Sequence, residues 1–186
     1  MKRHLKSTWN TLLPGAAIAL ALVASAPSLS HAGEVPFGDK VGAEVSYYNR
    51  TTPHVSTGGL LHQGGPESLK SLGYGTVIDL RTPKEGTAQE RAIVEALGLR
   101  YINIPIANGA PTNEQVARFA DVIAAPGGQA IHVHCVSANR AGAMWALYLA
   151  ATGISAEQAV NAGRTVGLRG RREAGVRQHL GLPAGP

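Results

Sequence analysis

Residues 130–151 constrain the fold more than any other stretch of the chain. A short apolar run, Ala130-Ile131-His132-Val133-His134, leads into a small polar loop that ends at Arg140. Residues 141–151 follow at once and are apolar nearly all round, with Met144, Trp145, Leu147, Tyr148 and Leu149 among them. A run of five such residues reads as a strand, and a helix without a polar face has to be buried. A strand feeding a buried central helix belongs to sheets that are covered by helices on both faces.

The rest of the chain repeats the alternation. Residues 58–62 read as a short strand, and Pro66 opens a short helix reaching Leu72. Thr76-Val77-Ile78-Asp79-Leu80 is a β-branched strand bounded by Gly75 and by Arg81-Thr82-Pro83. Thr87 with Glu90 three residues on reads as a capping box, starting a helix with Ile93, Val94 and Leu97 on one face. Tyr101-Ile102-Asn103-Ile104 is the next strand, stopped by Pro105. Thr112 with Gln115 is a second box, opening a helix that Pro126-Gly127-Gly128 closes. Ser155 with Gln158 is a third, and an Arg-rich helix runs to about Leu180. The expected fold is α/β, a mostly parallel central sheet flanked by helices, with no repeat or linker pointing to a second domain.

The N-terminal residues carry an export signature. Lys2, Arg3 and Lys6 precede an apolar stretch over residues 12–26, and Ser30-His31-Ala32 offers small residues to a signal peptidase. Pro14 and Gly15 break the stretch, which is shorter than the ~20 residues of a spanning helix. The expectation is a signal peptide over 1–32, an N-terminal arm or edge strand over 33–57 and a catalytic-type domain over 58–186. The mature protein would be periplasmic or secreted, and off the membrane.

The formal charge of +5 belongs largely to that leader. Without Lys2, Arg3 and Lys6, 14 Lys and Arg face 12 Asp and Glu, which argues against a nucleic-acid partner held by bulk charge. One basic cluster remains, Arg164, Arg169, Arg171, Arg172 and Arg177, and it reads as a solvated helix face. Cys135 is the sole cysteine, so it has no internal disulfide partner. In an oxidising compartment such a thiol is either buried and inert or kept for chemistry.

The position of Cys135 favours chemistry. Sites in α/β folds lie beyond the carboxyl ends of strands, and Cys135 sits at one. The unpaired N–H groups of the following helix, its dipole and the nearby Arg140 all favour a thiolate there. The same N–H groups and the Arg fork form a cradle for a tetrahedral oxyanion. A nucleophile beneath a bound oxyanion is what thiol-based phosphoryl transfer requires.

The segment His134-Cys135-Val136-Ser137-Ala138-Asn139-Arg140-Ala141-Gly142 resembles the signature of the bacterial beta-lactamase-hydrolase-like phosphatase domain. That family stands with the dual-specificity and tyrosine phosphatases. The resemblance extends through Gln63-Gly64-Gly65-Pro66, the strand ending Asp79-Leu80-Arg81-Thr82-Pro83, Tyr101-Ile102-Asn103-Ile104-Pro105 and Pro111-Thr112, spanning residues 55–167. It implies a cysteine-phosphatase fold, with Cys135 forming a phosphocysteine and Arg140 holding the phosphate. The backbone of Val136, Ser137, Ala138 and Asn139 would complete the cradle. It implies a phosphorylated small molecule or phosphoprotein as substrate. Neither the resemblance nor any motif calls for a metal or other cofactor.

The chain departs from the wider pattern in three ways. Four residues separate Cys135 from Arg140 where tyrosine phosphatases have five. Ala138 and Ala141 stand where the family commonly has Gly and a hydroxyl residue. No carboxylate occurs between Glu95 and Glu114, so the loop after the Tyr101 strand has no Asp to protonate a leaving alcohol. Glu85 is the available substitute, with a solvated surface carboxylate as its simpler reading. Two alternatives follow. A four-residue gap is also the loop length of rhodanese-type sulfurtransferases, which carry a Cys persulfide, and a pseudophosphatase would keep the cradle but turn over poorly. Elsewhere, His132 and His134 are read as structural residues facing opposite sides of their strand, without partners at metal-ligand spacing. Asp79 and Arg81 share a face, where they either pair or brace the site.

Overall fold

The structure, a computed structural model, describes residues 41–125 and 128–185. The leader over 1–32 and the stop at Pro126-Gly127 lie outside the described residues. Five strands make one sheet: β1 (Asn49–Thr52), β2 (Val55–Gly58), β3 (Tyr74–Asp79), β4 (Arg100–Asn103) and β5 (Ala130–His134). Their order is β1-β2-β5-β3-β4, with β1 antiparallel to β2 and every other pair parallel. The described helices are α1 (Gly65–Ser71), α2 (Thr87–Ala96), α3 (Asn113–Ala124), α4 (Asn139–Ala151), α5 (Ala156–Val166) and α6 (Gly170–His179). A 3-10 turn, Pro83–Glu85, joins β3 to α2.

Alternation along the strands divides the core in two. Ile78, Ile102, Ile131 and Val133 point to one face, where they meet Phe119 of α3, Met144 and Trp145 of α4, Val160 of α5 and Val176 of α6. Tyr74, Val77, Tyr101 and Ala130 point to the other, against Leu69 of α1 and Val94 of α2. Helix α4 is buried from Ala141 to Leu147, as its apolar sequence requires. It packs backbone to backbone on α5, because a Cβ on Gly142 would lie 2.5 Å from the Gly163 carbonyl oxygen. Any side chain there would force the two helices apart.

The structure differs from the sequence pattern at several places. The strand expected over 58–62 runs instead from Val55 to Gly58, inside the segment read as an arm. Val55 pairs with Ile131 and Gly58 with His134 in β5. Its polar residues hid it: Ser56 is fully buried, and its hydroxyl meets His132 Nδ1 at 2.8 Å. His132 and His134 do not face opposite sides. Positions two apart in a strand share a face, and the two rings stack at 5.9 Å. Of the three capping boxes, Thr112–Gln115 forms, with Thr112 Oγ1 accepting from the Gln115 N–H at 3.2 Å and Gln115 Oε1 accepting from the Thr112 N–H at 2.8 Å. At Ser155 the side chain meets only Gln158 Oε1. The Thr87–Glu90 box does not form either: Gly86 caps α2, and Glu90 is turned into the core.

Candidate active site

The carboxyl ends of β3 and β5, the turn after β3 and the start of α6 meet around an open cleft of about 730 Å³. Cys135 lies at its base, 1 % exposed, with its N–H donating to the Gly58 carbonyl at 3.3 Å. The loop that follows is held from outside. Val136 carbonyl oxygen accepts from Leu60 N–H at 3.2 Å, Ser137 carbonyl from Arg169 at 3.3 Å, and Ala138 carbonyl from Gly142 N–H at 2.8 Å. Two carbonyls are thus spent on partners beside the loop and that of Ala138 on the first bond of α4, while the first N–H groups of α4 have no intrahelical acceptor. Cys135, Ser137, Asn139 and Arg140 line the cleft. Val136 and Ala138 do not line it: the Val136 side chain is exposed and the Ala138 methyl is buried.

Ala138 is the N-cap of α4 and sits in the left-handed region, at φ 59° and ψ −5°. An L-residue pays about 1–2 kcal/mol there, and glycine none of it. The loop therefore keeps, at a cost in strain, a backbone that glycine would adopt freely. Asn139 bolts it to α6, its Oδ1 accepting from the Arg169 N–H at 3.1 Å and its Nδ2 donating to the Arg169 carbonyl at 3.3 Å.

Arg140 forms a fork with Glu85, its Nη1 donating to Oε2 at 2.8 Å and its Nη2 to Oε1 at 2.7 Å. Nη1 also donates to the Ile106 carbonyl at 3.2 Å. These bonds use three of the five N–H donors of a guanidinium, and the group also interacts with Cys135. Glu85 further accepts from the Thr82 N–H and hydroxyl, both at 2.8 Å. The Arg140 hydrogen bonds, against a smaller opposing effect of burial, hold the Glu85 carboxyl down at about 2. Glu85 is therefore an exposed carboxylate, as its simpler reading had it, but one held in an ion pair, and its lowered pKa does not suit a substitute acid. It is ionised at neutral pH and is the group that orients Arg140.

A second set of charges lies beneath the site, buried between the sheet and α2. Asp79 is fully buried and accepts from Arg81 Nη2 at 2.7 Å, from the Arg81 N–H at 2.8 Å and from the Tyr101 hydroxyl at 2.6 Å. Arg81 Nη2 also meets Glu90 at 2.7 Å, and His134 Nε2 meets the other Glu90 oxygen at 2.8 Å. Burial works against a charged Asp79, but the Arg81 hydrogen bonds, His134 and Tyr101 outweigh it and its pKa is lowered. Burial, with Asp79 alongside, raises that of Tyr101. Burial also pushes the neighbouring His132 well below its ordinary value, so it is neutral. Of the two readings of Asp79 and Arg81, the structure shows the pairing. Asp79, Glu90 and His134 bring ligand atoms within 4.8 Å of one another, the spacing a metal ion would need. The Arg81 guanidinium already bridges both carboxylates and supplies the positive charge that such an ion would bring.

Sequence reasoning missed Lys84 and Arg172 as lining residues. Lys84 follows from the turn after β3, a position next to a strand end. Arg172 carried no local signal, since it arrives from α6, where its guanidinium donates to the Gly109 carbonyl and, at 3.3 Å, to that of Ala107.

A strand-end cysteine and an arginine at the start of the next helix fit a cysteine-phosphatase-type protein, and comparison with known families gives that class. Residues 37–178 match the family model described as a DSP-PTPase phosphatase fused to NAD+ kinase, so the chain belongs to this family and is a dual-specificity or tyrosine-phosphatase-like hydrolase. Solved structures share its fold. A candidate phosphatase (DUF442) from Shewanella putrefaciens CN-32 is 22% identical, covering 73% of this chain and 91% of its own, with a TM-score of 0.59. Tk-PTP in its active form is 17% identical over 72% of this chain and 95% of its own, with a TM-score of 0.61. A candidate phosphatase from Neisseria meningitidis Z2491 is 19% identical over 64% and 88%, with a TM-score of 0.56. No curated protein matches the chain.

Proposed function

We propose that the protein hydrolyses phosphomonoesters through a phosphocysteine, outside the cytoplasm, after removal of residues 1–32. The observation that carries this reading is Cys135 at the base of a cleft, facing an Arg140 whose guanidinium Glu85 holds in place. Cys135 Sγ attacks phosphorus in line, an S–P bond forms, and the P–O bond to the leaving group breaks with its electron pair. Arg140 and the amides of the loop from Val136 to Asn139 carry the charge on the non-bridging oxygens, the positioning and electrostatic work on which phosphoryl transfer depends. Water then displaces the sulfur and releases inorganic phosphate.

Two features bound the substrate. Among the described residues, Glu85 is the only carboxylate lining the cleft, and it stays ionised. A leaving alkoxide must therefore take its proton from solvent, which favours aryl phosphates over alkyl ones. Ala141 is buried and brings no hydroxyl to the sulfur. Both features also motivate the weaker pseudophosphatase reading.

The mature protein and its Cys135→Ser variant, assayed with 4-nitrophenyl phosphate and with thiosulfate plus cyanide, test the proposal. Cys135-dependent phosphate release is expected. Thiocyanate formation would point to sulfurtransfer, and bound phosphate without turnover to the pseudoenzyme.

A further inference from the structure

The arginines near the C-terminal end of the sequence do not form the uniform solvated face that their spacing suggests. The structure divides them by partner. Arg164 is neutralised by Glu173, and Arg177 by Glu157 at 2.9 Å. Arg169, Arg171 and Arg172 have no carboxylate partner among the described residues. Arg169 donates to the carbonyls of Ser137 and Gly167, and Arg172 to those of Gly109 and Ala107. Carbonyls hold a guanidinium in place but leave its charge uncancelled.

These three arginines border one space. A second cleft, about 720 Å³, is lined by Asn108, Asn139, Arg169, Arg171 and Arg172, with glycines between them. It shares Asn108, Asn139 and Arg172 with the cleft above Cys135. No carboxylate lines it. Burial, and then the nearby Arg140, lower the affinity of Arg172 for its proton, so its charge sits in a partly desolvated place beside another cation. Such an arrangement raises the energy of the empty protein and is relieved by an anion. One phosphoryl group over Cys135 meets Arg140 and the edge of Arg172, and leaves Arg169 and Arg171, which do not line that cleft, unanswered.

Building on the phosphatase reading, we propose that the cleft bordered by Arg169, Arg171 and Arg172 is a second anion subsite, and that the substrate is a small molecule with two phosphoryl groups. The first group is placed for transfer to Cys135. The second lies against Arg171 and Arg172, which anchor the molecule and select it over a simple monoester. Guanidinium groups suit this task because their planar forks match phosphate oxygens.

Calorimetry on the mature Cys135→Ser protein, at constant ionic strength, tests this without turnover. The probes are inorganic phosphate, inorganic pyrophosphate and fructose 1,6-bisphosphate, the last two differing in the spacing of their phosphoryl groups. At least one of the two probes with two phosphoryl groups is expected to bind about tenfold tighter than phosphate, the gain of an added charge-assisted contact. Arg171→Gln should reduce that preference to about twofold or less. Arg118→Gln, at an exposed position of α3, should leave it intact and so excludes a bulk charge effect. Arg171 makes no hydrogen bond to the loop, so a loss there is not a folding defect of the cradle. Phosphate binding with no preference for either probe would overturn the subsite alone. Failure to bind phosphate at all would overturn the phosphatase reading and the subsite together. Tighter binding of a doubly phosphorylated peptide than of both small probes would overturn the small-molecule class.

Discussion

Two arginine–carboxylate forks stand at the carboxyl ends of neighbouring strands, and they serve opposite ends. Arg81 is 5 % exposed and is consumed by Asp79 and Glu90 on the α2 side of the sheet. Arg140 is paired to one carboxylate only, at the edge of an open cleft with Cys135 across from it. The first fork is closed by burial and bears on stability. The second is left incomplete, and the donors that neither Glu85 nor the Ile106 carbonyl uses face the Cys135 side of the cleft. The same chemical pair becomes structural or functional according to what covers it.

The sharpest way to break the comparison is to unpair each fork. Asp79→Ala leaves the buried Arg81 with Glu90 alone and should cost about 3 kcal/mol in urea unfolding, the lower end for buried pairs that lose one partner. Arg140→Lys should leave unfolding nearly unchanged while lowering phosphate release about 100-fold, because an ammonium cannot reproduce the fork. If Arg140→Lys instead destabilised the protein as much as Asp79→Ala, the distinction between the two forks would fail.

Glu85→Gln comes next. Loosening Arg140 should reduce kcat/KM about tenfold, equally for aryl phosphates with good and poor leaving groups. A loss confined to poor leaving groups would show that Glu85 donates a proton after all. The pH dependence of stability has a definite sign. Glu85 and Asp79 both hold their protons less tightly in the fold than in the unfolded chain. Their contribution is complete above the ordinary carboxylate range and is lost as pH falls through the folded values, about 2 for Glu85. Stability should therefore decline as pH falls from about 5 towards 2, and Glu85→Gln should remove part of that decline. The smallest effect is expected at Ala138→Gly. Relief of the left-handed backbone slightly outweighs one lost buried methyl, so the unfolding free energy should rise by about 1 kcal/mol or less.

The Thr-x-x-Glu pattern occurs twice in succession, and the two copies show where local reading stops. Thr82 and Glu85 join through the Thr82 N–H and hydroxyl, and Glu85 then reaches Arg140. Thr87 and Glu90 have the same spacing, yet Glu90 leaves its helix end for Arg81 and His134. The spacing of Thr and Glu alone does not separate the copies. Strand β2 shows the same limit, since Ser56 and Thr57 are buried by pairing with β5 rather than by their own polarity. The side chosen by His132 and His134 follows from a period of two, and the stacked rings display it.

What the sequence determined by itself was the unit around Cys135: an apolar strand, a small loop, and Arg140 opening a helix with no polar face. Those are short-range properties, set by periodicity and by the unpaired groups at a helix start. Only the tertiary structure decided that Glu85 would hold Arg140, that Glu90 would be buried and that Arg172 would reach the cleft from α6. Each of these joins residues far apart in the chain, by 55 positions for Arg140 and Glu85 and 63 for Arg172 and Gly109. Such pairings are fixed by how the helices pack on the sheet, and the local sequence carries no record of them.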